Sequence, residues 1–253
     1  MADPARQIDR IDTAPRFTEA DAVRLNTRFL GASTLEMLQG VLGDGLAGEA
    51  VIVSSFGAES AALLHLVASV DAGVPVLFLD TGKHFPETLA YRDLLVERLG
   101  LNLRNLQPDP ERLAKVDATE LRWSYDPDGC CEIRKVQPLA AGLAGVAATI
   151  TGRKAFQAST RAALPRFELD GDRLKVNPLA DWTKADLDAY FAAHDLPVHP
   201  LVAQGYLSIG CAPCTSVVKP GEDPRAGRWR GWDKTECGIH TPTGDEDPNQ
   251  PAF

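Results

Sequence analysis

Ala50-Val51-Ile52-Val53-Ser54-Ser55-Phe56-Gly57-Ala58-Glu59-Ser60 sets a short apolar run against a polar turn, and a helical stretch continues from it to about Val70. Consecutive apolar residues that stop abruptly at small polar ones read as a buried strand, and the loop that follows leads into a helix start with unpaired N–H groups. The unit repeats. Val74 to Leu79 ends in Asp80-Thr81-Gly82, and the segment opened by Pro86 places Tyr91, Leu94, Leu95 and Leu99 on one helical face. Leu101 to Leu106 reads as a third strand and Ala147 to Thr151 as a fourth, while Thr183 caps a helix carrying Leu187, Tyr190 and Phe191. Such alternation implies an α/β fold, a mostly parallel sheet with helices on both faces. Upstream, Thr18-x-x-Asp21 and Ser33-x-x-Glu36 have the form of capping boxes, the second followed by Leu35, Leu38 and Leu42 at helical spacing. The expected organisation is packing helices over 1–45, a nucleotide-binding core over 46–205 and an irregular C-terminal segment over 206–253, within one structural domain.

The whole chain has 253 residues, 26 basic and 35 acidic side chains and a formal net charge of -9, with hydrophobic residues at 44%. That composition excludes a collagenous or mostly disordered protein. No apolar run approaches the ~20 residues of a spanning helix, and the first residues lack the apolar centre of a signal peptide, so a cytoplasmic protein is expected. The acidic balance disfavours nucleic acid and anionic membranes as partners. A small anion held by local arginines remains compatible with it, because salt screens distant charge beyond roughly 10 Å.

Ligands of such sheets sit beyond the carboxyl ends of the strands, where Ser54 to Ser60, Asp80 to Gly82 and Gly152 to Arg161 would all emerge. The small side chains of Ser54, Ser55 and Gly57 would let a phosphate approach the backbone, although neither a Walker A ending nor G-x-G-x-x-G is present. Glu59 reads either as part of that site or as a favourable acid in the first helical turn. Arg153, Lys154 and Arg161 follow the fourth strand, and Lys219, Arg225, Arg228, Arg230 and Lys234 form a basic stretch in an acidic protein. Arginine forks suit phosphate and sulfate, whereas the plain alternative for both groups is solvated loop charge.

Five cysteines complete the chemistry: adjacent Cys130 and Cys131, the C-x-x-C of Cys211 and Cys214, and Cys237. In an intracellular chain of this size they suggest metal or redox chemistry before disulfides. Adjacent thiolates fit a single tetrahedral zinc poorly, while a 4Fe-4S cluster offers each a separate iron corner and is the preferred reading. Cys237 stands in a polar segment, Lys234 to His240, that reads as exposed, with Lys234 and His240 as cations that would favour its thiolate.

Together, Ser54 to Ser60, LDTGKHFPET at Leu79 to Thr88, CCEIRKVQPL at Cys130 to Leu139, GCAPCT at Gly210 to Thr215 and ECGIH at Glu236 to His240 resemble the iron-sulfur branch of the assimilatory adenylyl-sulfate reductases. The resemblance implies an adenine nucleotide alpha hydrolase-like fold and reduction of adenosine 5'-phosphosulfate to sulfite and AMP, with thioredoxin as transient electron donor. It makes Cys237 the nucleophile that becomes S-sulfonated and Cys130, Cys131, Cys211 and Cys214 the ligands of one 4Fe-4S cluster per subunit. Lys135 matches a lysine near cluster and substrate, and the implied substrate contacts are Ser54, Ser55, Gly57, Glu59, Leu79, Lys135, Gly152, Arg153, Arg161, Arg225, Arg228 and His240. A homo-oligomer is compatible with it. The alternatives are reduction of 3'-phosphoadenylyl sulfate, whose dedicated enzymes usually lack the four cluster cysteines, and a noncatalytic metal-binding nucleotide sensor, which has no need of Cys237.

Overall fold

The computed structural model describes residues 16–157, 164–234 and 237–240. Strands β1 (Ala50–Val53), β2 (Pro75–Leu79), β3 (Asn102–Leu106), β4 (Ala148–Thr151), β5 (Phe167–Asp170) and β6 (Arg173–Val176) form one sheet in the order β3-β2-β1-β4-β6-β5. All neighbours are parallel except β5 and β6. The four strands expected from apolar runs are present, each starting within a residue of its anticipated position. The β5–β6 hairpin is an addition to that expectation. Asp170 pairs with Arg173 across Gly171-Asp172, and Gly171 takes φ 66°, a left-handed conformation natural to glycine in a two-residue turn.

The helices are α1 (Glu19–Arg28), α2 (Thr34–Leu38), α3 (Ser60–Asp71), α4 (Pro86–Leu99), α5 (Pro110–Val116), α6 (Pro127–Cys131), α7 (Gln137–Gly142) and α8 (Lys184–Ala193). Both N-terminal capping boxes form: the backbone N–H of Thr18 donates to Asp21 and that of Ser33 to Glu36, each at 2.8 Å. A third joins Thr183 to Asp186 at the start of α8. Side chains alternate across the strands, so Ile52, Val76, Phe78, Ile150 and Val176 share a large core with α1 to α4 and α8. Val51, Leu77 and Leu79 point the other way, against Leu139 and Leu143 at α7. Burial on both faces is what lets parallel strands be apolar throughout.

Two expected core positions are corrected. Leu94 is exposed, because the buried stripe of α4 runs through Thr88, Tyr91 and Leu95, one step of the helix away from it. Leu35 is also exposed; Thr34 takes the inner position and accepts a 2.8 Å hydrogen bond from the Trp182 indole. At the β5 edge, the Asn26 side chain of α1 accepts from the N–H of Phe167 and donates to its carbonyl, closing the exposed ladder. No helix among the described residues is long and apolar enough to cross a membrane. The chain reverses direction across the sheet between β1 and β4, so the loops after these adjacent strands diverge and open a crevice.

Candidate active site

That crevice is a cavity of about 860 Å³, within the range of small-molecule sites. The loop after β1 contributes Ser54, Ser55, Gly57 and Glu59, and the end of β2 contributes Leu79. Gly152, Arg153 and Lys154 enter after β4, Lys135 from the π-helical segment Glu132–Val136 that joins α6 to α7, and Arg225, Arg228 and Cys237 from the C-terminal segment. These residues thus line one cavity. Arg161 and the side chain of His240 lie outside the described residues.

The first loop is held tightly. The Ser54 hydroxyl accepts from the N–H of Phe56 at 3.2 Å, and the Ser60 hydroxyl donates to the Gly57 carbonyl at 2.8 Å. Phe56 is fully buried, edge-on to Phe78 with ring centroids 5.6 Å apart, and carries φ 49°. A bulky residue in the left-handed region costs on the order of 1–3 kcal/mol and persists only where packing imposes it. Here the buried ring fixes a strained backbone directly beneath the cavity.

Cys237 departs from expectation: it is buried, not exposed. It packs with Cys131 and Trp229, and the Cys131 thiol donates a hydrogen bond to it. That bond, the charges of Lys135 and Lys234 and the Ile239 N–H hold the Cys237 pKa below the ordinary thiol range, against the opposing effect of burial. Lys135 outranks Lys234 as its cation, since Lys234 is paired with Asp128. Burial works against the charge on Lys135, but Cys211, Cys237 and Cys131 outweigh it and raise the pKa above that of an ordinary lysine.

The other four thiols surround a second, much smaller cavity of about 10 Å³, whose walls include Cys130, Cys131, Cys211 and Cys214. Cys130 and Cys131 close α6 on helical backbone, where successive side chains diverge by about 100°. No three metal-binding side chains among the described residues converge on one ion position. Four thiols on the wall of one cavity are the soft donor set that a polynuclear cluster takes. All five cysteines are free, and the Thr81 hydroxyl lies 3.3 Å from the Cys211 sulfur. Burial pushes the Cys130 thiol up to about 11 and that of Cys214 in the same direction, so these groups need a metal's charge to ionise at neutral pH. Arg134 is nearby but engaged: it donates to Asp117 at 2.7 Å and to the Thr81 carbonyl at 2.8 Å.

The basic stretch divides. Arg230 is outside the large cavity, bonded to Glu222 at 2.9 Å, whereas Arg225 and Arg228 line it. Arg228 lies 4.3 Å above the Trp229 ring, and its buried Nε has no partner among the described residues. Burial lowers its pKa, opposed by the neighbouring thiols. The missing Cβ of Gly210 leaves room for this guanidinium, which a larger residue would push aside. At the other wall, Lys154 pairs with Glu59 at 3.1 Å and Arg153 with Glu168.

His84 is one of the lining residues that sequence reasoning did not single out. Its Nε2 donates to the Leu79 carbonyl at 2.8 Å, which leaves buried Nδ1 as an acceptor with no partner among the described residues. Arg228 and His84 both line the cavity, and each keeps a buried nitrogen without a partner among the described residues.

Residues 49–217 match the phosphoadenosine phosphosulfate reductase domain. A protein of Mesorhizobium japonicum named adenosine 5'-phosphosulfate reductase is 51% identical over 236 residues, covering 93% of each chain. One of the same name from a Chelativorans species is 58% identical over 196 residues, 77% of this chain and 80% of its own. Among solved structures, the phosphate complex of phosphoadenylyl-sulfate reductase from Candida auris superposes with a TM-score of 0.68 at 25% identity, covering 80% of this chain and 98% of that one. An FMN adenylyltransferase of Candida glabrata shares the fold alone, with a TM-score of 0.51 at 14% identity.

Proposed function

Because this chain belongs to the phosphoadenosine phosphosulfate reductase family and is an oxidoreductase acting on sulfur, we propose that it reduces adenosine 5'-phosphosulfate to sulfite and AMP through an S-sulfonate on Cys237. The observation that carries this reading is the buried Cys237 thiol in the wall of a nucleotide-sized cavity that Lys135 and Arg228 also line. The Cys237 thiolate attacks the sulfur, the bond from sulfur to the bridging phosphate oxygen breaks, and the electron pair leaves with AMP. Lys135 and Arg228 supply positive charge where the leaving phosphate gains negative charge, which also lessens repulsion between the thiolate and the sulfonucleotide. An external dithiol then reduces the sulfur–sulfur bond, becoming a disulfide as Cys237 regains its thiol and sulfite departs. Thioredoxin is the dithiol in this scheme, and the cytoplasm the compartment.

Cys130, Cys131, Cys211 and Cys214 would hold a 4Fe-4S cluster. When bound, it would supply fixed charge and polarisability next to Lys135 and Cys237. Its presence is checked by iron and sulfide analysis of protein purified without oxygen, with about four irons per chain expected.

Incubation with adenosine 5'-phosphosulfate and no reductant should add one sulfonate to the Cys237 peptide, read by mass spectrometry. Cys237→Ser should make neither adduct nor sulfite while keeping its iron. Retained turnover by that variant would overturn the nucleophile assignment.

A further inference from the structure

The adjacent pair Cys130 and Cys131 is carried by a helix whose own residues do little to form it. α6 is Pro127-Asp128-Gly129-Cys130-Cys131, and after the proline, which suits a first turn, none of them is a strong helix former. So short a helix is marginal unless its surroundings hold it. One carboxylate does so with both oxygens. Asp126 precedes the helix, and its Oδ1 accepts from the Gly129 N–H at 2.8 Å, capping the first turn. Its Oδ2 accepts from Nε and Nη2 of Arg122 at 2.9 and 2.7 Å. The Asp126 carbonyl in turn takes the Cys130 N–H at 3.0 Å. Arg122 is fixed from behind, its backbone N–H donating to Asp117 at 2.9 Å and its Nη1 to the Val116 carbonyl at 3.2 Å. Gly129 lets the pair sit close, since a Cβ there would fall on the carboxylate and guanidinium and push them aside. Both charged side chains are partly exposed, so their attraction contributes little by itself and the geometry of the bonds is what orients α6.

We infer that Asp126, clasped by Arg122, is a positioning residue that presents Cys130 and Cys131 for metal binding without touching the metal. This rests on the reading of the four thiols as a cluster site. Ligands already held in their binding orientation lose less freedom when a metal binds, and they release it more slowly. An isosteric amide replaces the carboxylate only in part. Asparagine has a single oxygen, so it keeps either the cap or the bond from Arg122.

The test is release of iron from holoprotein purified without oxygen to an excess of a ferrous chelator, followed by visible absorbance while iodoacetamide labels the freed thiols. Asp126→Ala loses both bonds and should release iron about fivefold faster than the unaltered protein, the factor expected for a lost cap. Asp126→Asn should fall between the two and serves as the second variant if Asp126→Ala fails to fold. Arg122→Met should also speed release, and adding it to Asp126→Ala should change nothing further, because the guanidinium acts through the carboxylate. In these variants the peptide with Cys130 and Cys131 should gain labelling ahead of the peptide with Cys211 and Cys214, whereas a general loosening of the fold would expose both together. Release at the unaltered rate in either Asp126 variant, an equal gain in both peptides, or multiplied effects in the double variant would overturn the inference alone. Unaltered protein without iron would remove the cluster reading and the inference with it.

Discussion

Truncating Ile239 should loosen the segment that carries the nucleophile. Its side chain packs against the apolar face formed by Val51, Leu77, Leu79, Leu139 and Leu143 and also against Cys131, Trp229 and Cys237. Its N–H also bonds the Cys237 sulfur, so one residue joins the segment both to the sheet and to the thiol. Ile239→Ala removes three carbons, each worth ~0.8 kcal/mol when fully buried. Ile239 is half-buried, so the loss is about 1–2 kcal/mol, a factor of roughly 5–30 in the balance between docked and undocked segment. The Lys234–Asp128 pair does not compensate, because Asp128 is largely exposed and such pairs contribute little. The assay is iodoacetamide labelling of the holoprotein, with the Cys237 peptide quantified over time. When redocking outpaces alkylation the rate follows the undocked population, so a 5–30-fold acceleration is expected. Ile239→Val should be only a few-fold faster than the unaltered protein. A Cys237 labelling rate within twofold of the original in Ile239→Ala would refute the anchoring role.

Two further outcomes concern stability. Asp117→Ala would leave the nearly inaccessible Arg134 guanidinium without its carboxylate and the Arg122 N–H without its acceptor. Breaking a buried pair from one side costs about 3–5 kcal/mol, so the melting temperature should drop by at least about 6 °C; a drop below 2 °C would contradict the buried pair. His199 is fully buried between Thr88 and Tyr91, and burial brings its pKa down to about 4 despite Glu87. Below the unfolded histidine value of ~6.5 the unfolded chain gains a proton that the folded chain refuses, so this contribution is intact above pH 6.5 and lost progressively as the pH falls toward 4. Urea unfolding should show roughly 2 kcal/mol more destabilisation between pH 7.5 and 5 in the unaltered protein than in His199→Asn; parallel pH profiles would refute it.

The parallel part of the sheet was legible because β1 and β2 are uninterrupted apolar runs ending in loop residues, and β4 is a short β-branched stretch, Ala148–Thr151, ending at Gly152. The β5–β6 hairpin alternates charged and apolar residues, and Asp170-Gly171 was its available signal. Helical periodicity located α4 but not the sense of its buried stripe, because Leu94 and Leu95 are equally apolar and only the packing of Tyr91 separates them. The cavity lining was largely legible, since the strand ends gather it. The state of Cys237 was not: its neighbours in sequence are polar, and its burial comes from Cys131, Trp229 and Ile239 after the tail folds back. Likewise Lys154 and Glu59 are far apart in the chain, and only the adjacency of β1 and β4 makes one the partner of the other. His84 had no distinguishing spacing; the Leu79 carbonyl gives it its orientation.

Lys135, Cys211 and Trp229 belong to the walls of both cavities, whereas Glu59 touches the larger and Cys130 the smaller. Substitutions at the shared residues therefore have no single address, and a defect in nucleotide affinity there is inseparable from one in thiol chemistry. Pairing Glu59 with Cys130 in a double-mutant cycle gives the cleaner partition: their effects on nucleotide affinity should add unless the common wall transmits strain from one compartment to the other.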